Sequence, residues 1–286
     1  TSAPDLNVET PLAIDEVEIA ETPVTLPETP IPDESLLPLL QAEFALRQRD
    51  FDRGLALLAE QAGLLEDPAL ARRALRLAEF VNDTDQAAMM AVRLVELDPG
   101  DGAAAAAASG WLSRAGRPVD AVYYAQLAFE HGHPVNVATN LGTYDALDEG
   151  SQVAITETIR AIAAQWPEDD QAAIAACLLA RIEGDLKGAE SFILPVLERS
   201  PEDVRAVMLW TQLMLDQNAD DPFQLLATTV SRYPDNQELR LQFARLLGSE
   251  GNYAGARAQF VLLLERDPDN TELLSTAALL DFELEY

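Results

Sequence analysis

The sequence contains few of the residues that usually carry chemistry. Among 286 residues it has one cysteine, Cys177, two histidines, His131 and His133, and one lysine, Lys187. One cysteine excludes an internal disulfide, and the two histidines, next to Pro134, have no third metal ligand nearby, so we interpret them as part of a turn. The motifs of zinc hydrolases, serine hydrolases and phosphate-binding loops are absent. We therefore expect no enzymatic activity, no metal site and no cofactor.

Positive charge is scarce as well. Lysine and arginine total 19 against 49 aspartate and glutamate residues, which gives a net charge of −30. This balance argues against a nucleic-acid partner, which requires a positive surface. No apolar run reaches the roughly 18 residues that a membrane helix needs. Cys177 lies in the apolar run AAIAACLLAR and is expected to be a small core residue.

What the sequence does have is a regular spacing of proline. The intervals between seven prolines are 31, 35, 33, 34, 33 and 34 residues. A small residue recurs about a dozen positions before most of these prolines. A period of this length predicts a stack of helix–turn–helix units, because proline ends each unit and the small residue lets two helices approach closely. The prolines are Pro68, Pro99, Pro134, Pro167, Pro201, Pro234 and Pro268, and the small residues are Gly54, Ala87, Ala121, Ala189 and Ala256.

The clearest unit spans 236–270 and carries the pattern in full. Its second helix places Tyr253, Ala256 and Phe260 on one face, and Pro268 follows eight residues after the aromatic ring. This pattern resembles the tetratricopeptide repeat family, and the resemblance covers about 35–286. It implies an all-α, right-handed solenoid of about seven helix pairs and a terminal single helix. The expected pairs are 35–64, 68–97, 102–132, 135–166, 169–199, 203–233 and 237–266, followed by the helix 271–286.

Two units depart from the pattern. Ile155 replaces the small residue in the fourth unit, and Pro222 replaces it in the sixth. We place Pro222 in the first turn of its helix, where proline is tolerated. The packing is expected to change at both units, and the superhelix is expected to bend there. Acidic sequences at the junctions, such as PGDG (99–102), PEDD (167–170), PEDV (201–204) and DPDN (267–270), are interpreted as helix caps.

The first 33 residues differ from the rest of the chain. They contain six prolines, eight acidic residues and no basic residue, and the first arginine is Arg47. Such a composition is typical of a disordered, extended linker. We therefore divide the chain into an acidic, proline-rich linker (1–33) and a repeat solenoid (34–286). Within the linker, 17–26 is a segment that could lie on the solenoid in the way a ligand would.

The family resemblance implies a binding face. In tetratricopeptide solenoids the first helix of each pair lines the concave surface, and 18 of the 19 basic residues here are arginines. Arginines on that surface would bind a carboxylate, such as a peptide C-terminus; alternatively each pairs with an acid of a neighbouring repeat. The candidates are Arg47, Arg72, Arg76, Phe80, Arg114, Tyr144, Arg181, Met214, Leu241 and Arg245, with Glu43, Leu178, Val207 and Thr211 beside them.

The first repeats carry a narrower resemblance. The sequences AEFALRQRDFDRGLALL (42–58), ARRALRLAEF (71–80) and VELDPGD (95–101) are similar to those of proteobacterial tetratricopeptide lipoproteins at the outer membrane. The resemblance implies a non-enzymatic scaffold in the periplasm that binds a carboxy-terminal processing protease and presents substrates such as cell-wall hydrolases. It also implies a lipid anchor upstream of this chain as the link to the membrane.

Other functions remain open at this point. The chain is also compatible with a general peptide- or protein-binding adaptor in envelope assembly, and a cytoplasmic location is not excluded. The last segment has an apolar face that includes Leu273, Leu274, Leu280 and Phe282. Because no second helix follows to cover that face, we also consider a homo-oligomer or another subunit there, or a longer natural chain.

Overall fold

The protein is a stack of antiparallel helices. The computed structural model describes residues 31–285, apart from the side chains of 283 and 285, so residues 1–30 of the expected linker lie outside the described part. The described part contains no β-strand. Its helices are α1 (Asp33–Arg47), α2 (Phe51–Leu64), α3 (Pro68–Val81), α4 (Thr84–Leu97), α5 (Gly102–Arg114), α6 (Pro118–Glu130), α7 (Glu149–Gln165), α8 (Asp170–Ile182), α9 (Leu186–Arg199), α10 (Val204–Asp216), α11 (Gln224–Arg232), α12 (Gln237–Ser249), α13 (Tyr253–Leu264) and α14 (Thr271–Glu285).

The predicted α-solenoid is confirmed, since each helix packs chiefly on its neighbours in the chain. Six complete pairs form: α1/α2, α3/α4, α5/α6, α8/α9, α10/α11 and α12/α13. We call the first member of each pair helix A and the second helix B. None of the helices between residues 31 and 285 is long and apolar enough to cross a membrane.

Side-chain caps set the start of most helices. An aspartate or asparagine oxygen accepts a hydrogen bond from a first-turn amide in eleven of the described helices, which satisfies a donor that has no partner within the helix. The caps at Asp101, Asp169, Asp203 and Asn270 confirm the interpretation of the acidic junctions. The other caps are Asp50, Asp67, Asp83, Asp148, Asp185, Asn236 and Asn252.

A residue with left-handed backbone geometry closes each turn between helix A and helix B. Glycine occupies three of these positions, where it has no Cβ to clash. Arg49 occupies the first, with φ 62°, and asparagines occupy two others. The six residues are Arg49, Asn82, Gly116, Gly184, Asn218 and Gly251.

The recurring small residues lie where sequence periodicity places them. Ala87, Ala121, Ala189 and Ala256 are fully buried in the contact between the helices of their pairs. At Gly54 a Cβ atom would lie 2.6 Å from a methyl carbon of Leu46. The helices of these pairs therefore pack closely at the sites where a small residue was predicted.

The fourth unit differs from the prediction of a helix pair over 135–166. Two short 3-10 helices, Val137–Leu141 and Tyr144–Ala146, stand in place of helix A, and α7 alone is the helix B. Glycine at 142 and the polar residues around it disfavour a continuous helix. Ile155 is fully buried with Ile159 and Ile162 on the inner side of α7. The large side chain at position 155 thus occurs in the unit that has no close-packed helix A.

The sixth unit differs in a second way. The prediction that Pro222 lies in the first turn of helix B is wrong, because α11 begins at Gln224 and Pro222 lies in the turn before it. The connection 217–223 is longer than the turns in the other pairs, and α11 is the shortest of the described helices B. As a result, α10 and α11 contact each other less than the helices of any other complete pair.

Candidate functional site

The predicted binding face corresponds to the outward sides of the helices A, which we call the A-face. Arg47 is in the last turn of α1, Arg72, Arg76 and Phe80 are on α3, and Arg114 ends α5. All five of these side chains are exposed. The first three helix pairs therefore present the predicted arginines and one of the predicted aromatic residues to solvent.

Three of the predicted arginines are paired with acids from the next repeat. Arg72 donates to Asp101 at 3.1 Å, and Arg245 donates to Glu272 at 3.2 Å. Arg181 binds Asp216 and also donates to the side-chain oxygen of Gln212. For these arginines the structure agrees with the alternative interpretation, in which they link neighbouring repeats. Exposed pairs of this kind each contribute about 0–1 kcal/mol.

A similar link joins the first two helix pairs. Arg73 of α3 forms an ion pair with Glu43 of α1. This hydrogen bond from the guanidinium lowers the pKa of Glu43 below its ordinary value, although partial burial opposes the shift. Glu43 was expected on the binding face, and its carboxylate is instead engaged between the first two pairs.

The other three predicted arginines, Arg47, Arg76 and Arg114, form no ion pair in the described part of the chain. The guanidinium of Arg114 lies 4.6 Å from the centre of the Trp111 ring, a distance at which a cation and an aromatic face attract. The ring of Phe80 is 70% exposed and meets Phe51 edge to face. Cations that form no ion pair thus accompany aromatic rings on these repeats, and Arg47 lies close enough to Glu43 to help lower the pKa of that carboxyl.

Sequence reasoning missed two aromatic residues of this region. Phe44 of α1 is 62% exposed and lines a shallow recess with Leu40, Glu43 and Arg47. Trp111 of α5 is half-buried and donates its indole N–H to Glu79 at 3.2 Å. The sequence could have revealed both, because each is an aromatic residue of a helix A at a position that does not belong to the apolar face of that helix. We call the set Phe44, Arg47, Arg76, Phe80, Trp111 and Arg114 the N-terminal A-face.

Several predicted residues do not lie on an exposed face. Tyr144 is in a 3-10 helix, is half-buried, and shares a 2.8 Å hydrogen bond between its hydroxyl and that of Thr156. Val207 and Thr211 are fully buried in α10. Their placement on the binding face was wrong, because it assumed that every helix A turns the same positions outward.

Three further candidates are partly buried. Leu178 and Leu241 pack against the core clusters of the second half of the chain. Met214 lies with Trp210 in a cleft between α9, α10 and α11. These residues support packing between repeats more than they offer contact to a ligand along the A-face.

Cys177 and the two histidines are the residues that the sequence singles out for catalytic or metal-binding potential. Burial raises the pKa of the Cys177 thiol to about 12, so that it is protonated at neutral pH and a poor nucleophile. His133 places its Nδ1 atom 3.0 Å from the backbone oxygen of His131, in the turn after α6. The described residues contain no group of three or more side chains that could hold a metal ion.

Comparison with known proteins agrees with this architecture. Residues 213–280 match the family described as tetratricopeptide repeat. A TPR repeat-containing protein of Pseudomonas aeruginosa is 25% identical over 213 residues, which are 74% of this chain and 36% of that protein. The chain therefore spans about a third of the length of this relative.

Solved structures with a similar arrangement share little sequence with the chain. A tetratricopeptide repeat protein from Parabacteroides merdae has 9% identity and a TM-score of 0.46, with 87% of this chain and 99% of that one covered. PilW, a type IV pilus biogenesis factor, has 14% identity and a TM-score of 0.43, with 73% and 98% covered.

Proposed function

We propose that this chain, which is built from tetratricopeptide repeats, is a non-enzymatic scaffold that binds a periplasmic carboxy-terminal processing protease and presents protein substrates to it. Cell-wall hydrolases are the proposed substrates. The proposal is supported by the similarity of 42–58, 71–80 and 95–101 to outer-membrane lipoproteins of this repeat family. The general part of the proposal, a surface for protein partners, follows from the repeat architecture itself.

The observation that carries the proposal is the N-terminal A-face. Its arginines Arg47, Arg76 and Arg114 form no ion pair in the described residues, although the chain has a net charge of −30. An arginine can hold a carboxylate through two parallel hydrogen bonds, and exposed rings such as Phe80 add apolar contact. A protein segment that ends in a carboxylate after apolar residues fits this surface.

Location and attachment belong to the same proposal. We place the solenoid in the periplasm, held to the outer membrane by a lipid anchor upstream of the first residue. The acidic, proline-rich composition of 1–33 favours a spacer between anchor and repeats. Fractionation of the native protein into outer-membrane and soluble fractions tests this, and recovery in the cytoplasm would contradict it.

The binding test uses the full chain with the protease and a hydrolase from the source organism. We expect a ternary complex in analytical ultracentrifugation and faster cleavage of the hydrolase when the chain is present. The double variant Arg47→Gln, Arg76→Gln should weaken one of the two partners roughly tenfold, because two charge-assisted contacts are lost. Arg72→Gln is the matched control, since Arg72 is already paired with Asp101. If the unmodified chain bound neither protein, the protease assignment would be wrong.

A general adaptor is the second candidate, and exposed arginines beside aromatic rings favour it equally. It predicts that the N-terminal A-face binds short peptides with a free C-terminal carboxylate and no protease. Titration with one peptide in its free-acid and amidated forms separates the two cases. A preference for the free acid that Arg76→Gln abolishes, without binding of the protease, would select the adaptor.

Association through the last helix is a third candidate. Leu274, Leu279 and Leu284 on α14 are each 45% exposed or more, while Leu280 is buried against the preceding helices. Exposed apolar side chains of this kind are suited to contact with another protein surface or a second copy. Sedimentation over a range of concentrations tests it, and a constant monomer mass would remove the homo-oligomer.

A further inference from the structure

A cleft opens between α9, α10 and α11, away from the N-terminal A-face. Its volume is about 460 Å³, within the roughly 300–1,000 Å³ of small-ligand sites. Helices α9 and α11 are the second helices of consecutive pairs, and α10 lies between them in the chain. The apolar lining consists of Leu194, Leu197, Trp210, Met214, Pro222 and Leu225.

The cleft has an identifiable cause in the sequence. In the other complete pairs two or three residues separate helix A from helix B, whereas here the seven residues 217–223 precede α11. Pro222 has no amide hydrogen and lies before the helix. The first turn that α11 lacks would otherwise stand near the end of α10. The side chains of Trp210 and Met214 therefore line an opening instead of being covered by helix B.

The helix on the other side of the cleft is also modified. Pro195 lies inside α9, next to Leu194 and one turn before Glu198. A proline at this position removes one helical hydrogen bond and crowds the carbonyl of Ser191, four residues earlier. One helix B that borders the cleft thus contains a proline, and the other is preceded by one in the turn before it.

The charged groups of the cleft have a single sign. Glu198 and Asp221 line it together with the polar Gln224 and Thr228, and the lining contains no lysine, arginine or histidine. Both acids are exposed, and neither forms an ion pair or a hydrogen bond through its carboxylate in the described residues. Most of the arginines, by contrast, are engaged with acids elsewhere in the repeats.

The apolar walls and the two unpaired carboxylates of the cleft indicate which kind of molecule could bind there. The chain's own N-terminal segment has eight acids and no base over 1–33, so it would be repelled. A second copy of the chain carries the same net charge of −30, and an anionic lipid surface has the same sign again. A complementary occupant has apolar side chains for the cleft and positive charge for the two acids.

We infer that this cleft is a docking site for a protein segment in which large apolar residues are flanked by lysine or arginine. The apolar side chains lie against Trp210 and Met214, and the basic groups approach Glu198 and Asp221. The site is separate from the N-terminal A-face in chemistry, since that face offers arginines and would attract acidic groups. It does not depend on the identity of the proposed protease.

The test is a selection from a library of random peptides displayed on phage, in which peptides that bind the full chain are recovered. Before each round, the library is depleted on the variant Leu194→Arg, which places a positive charge and a longer side chain at the cleft. Because Leu194 is 43% exposed, the variant should fold, and circular dichroism checks this. We expect the recovered peptides to be rich in large apolar residues next to lysine or arginine.

Synthetic copies of the recovered peptides then locate the site. The double variant Glu198→Gln, Asp221→Asn should weaken their binding about fivefold, and added salt should weaken binding to the unmodified chain. The matched controls are Leu262→Arg on α13, where Leu262 is 40% exposed, and the pair Glu168→Gln, Glu202→Gln outside the cleft. Both controls should bind as the unmodified chain does.

Two results would overturn the inference. One is a selection that yields no peptide specific for the unmodified chain over Leu194→Arg. The other is a set of peptides whose binding is insensitive to the loss of Glu198 and Asp221, or whose composition is acidic. Neither result would affect the protease proposal, because that proposal is tested on the N-terminal A-face.

Discussion

The first three helix pairs (33–130) and a second region, made up of the fourth unit (137–165) and the sixth (204–232), share one period but differ in how closely their helices pack. The fifth pair between them packs as closely as the first two. In the first region a short turn and a glycine or alanine bring helix A and helix B together, and α5 and α6 pack most closely of all. In the second region the fourth unit has no α-helical helix A, and the sixth has a shortened helix B. The period therefore sets the order of the helices, while the small residue and the turn set how closely they meet.

The largest expected effect on stability comes from a substitution in the fourth unit, at a position that can be compared with the third. Ile155 occupies the repeat position that Ala121 has in the third pair, and both are fully buried. Ile155→Ala should lower the free energy of unfolding by about 2–4 kcal/mol, because it leaves a cavity in a core already short of one helix. Urea denaturation with hydrogen exchange in α7 measures this. A negligible cost would mean that Ile155 does not fill the space left by the missing helix.

A substitution in the opposite direction tests the third pair. Ala121→Leu should destabilise the chain by about 1–3 kcal/mol, because α5 and α6 leave no room for a larger side chain. Ala227→Leu in the loosely packed sixth pair is the matched control and should cost less than Ala121→Leu. Exchange rates of the amides in each pair report the local effect. An equal loss of unfolding free energy at the two sites would show that the difference in packing does not affect stability.

Substitutions in the turns between helix A and helix B should change the stability by a smaller amount. Arg49 and Asn218 both have left-handed backbone geometry, with φ 62° and φ 54°. Arg49→Gly should stabilise the chain by about 1 kcal/mol, because arginine adopts this conformation at a cost that glycine avoids. Asn218→Gly should gain less, since asparagine tolerates the same geometry better. Thermal melts of the two variants give the ranking, and a loss of stability in Arg49→Gly would contradict it.

The smallest effect concerns the link between the first two pairs. The pKa of Glu43 is lowered by its hydrogen bond with Arg73, so the pair contributes stability above the ordinary value of 4.5, and this is lost as the pH falls through the lowered pKa. Glu43→Gln should cost a few tenths of a kcal/mol at pH 7, because the pair is half-exposed. The difference from the unmodified chain should disappear in acid.

The control for this prediction is Glu60→Gln, at an exposed position with no ion pair in the described residues. Arg73→Gln combined with Glu43→Gln completes a double-mutant cycle. A coupling energy of zero at pH 7 would show that the two side chains do not interact.

Much of the fold could be predicted from the sequence because its determinants are local. Pro68 to Pro268 mark the unit boundaries, Ala121 and Ala256 mark the close contacts, and acidic junctions such as Asp101 provide the caps. Each of these acts within a few residues of the helix that it positions. The replacement of the small residue by Ile155 and by Pro222 also pointed to the two units whose structure departs from the rest.

The form of those departures could not be predicted. The sequence around residue 142 keeps the period but cannot hold a helix, and spacing alone does not reveal this. The binding face could not be predicted either. Whether Arg72 or Arg76 is free to bind a partner depends on an acidic residue about thirty positions away in the sequence. Val207 and Thr211 were misplaced for a related reason, since the outward positions of α10 depend on its neighbours on both sides.

The aspartate and asparagine caps have a consequence for how such a chain can change in length. Each cap lies within three residues of the amide it binds, and each left-handed turn lies inside its own pair. A duplicated unit therefore brings its own start and stop signals, and only its two side surfaces must match new neighbours. In-frame duplication or loss of one whole unit should be far better tolerated than a change of a few residues within a helix. Three of the described helices, α1, α6 and α11, begin without a side-chain cap, so the pairs that contain them carry fewer of these signals.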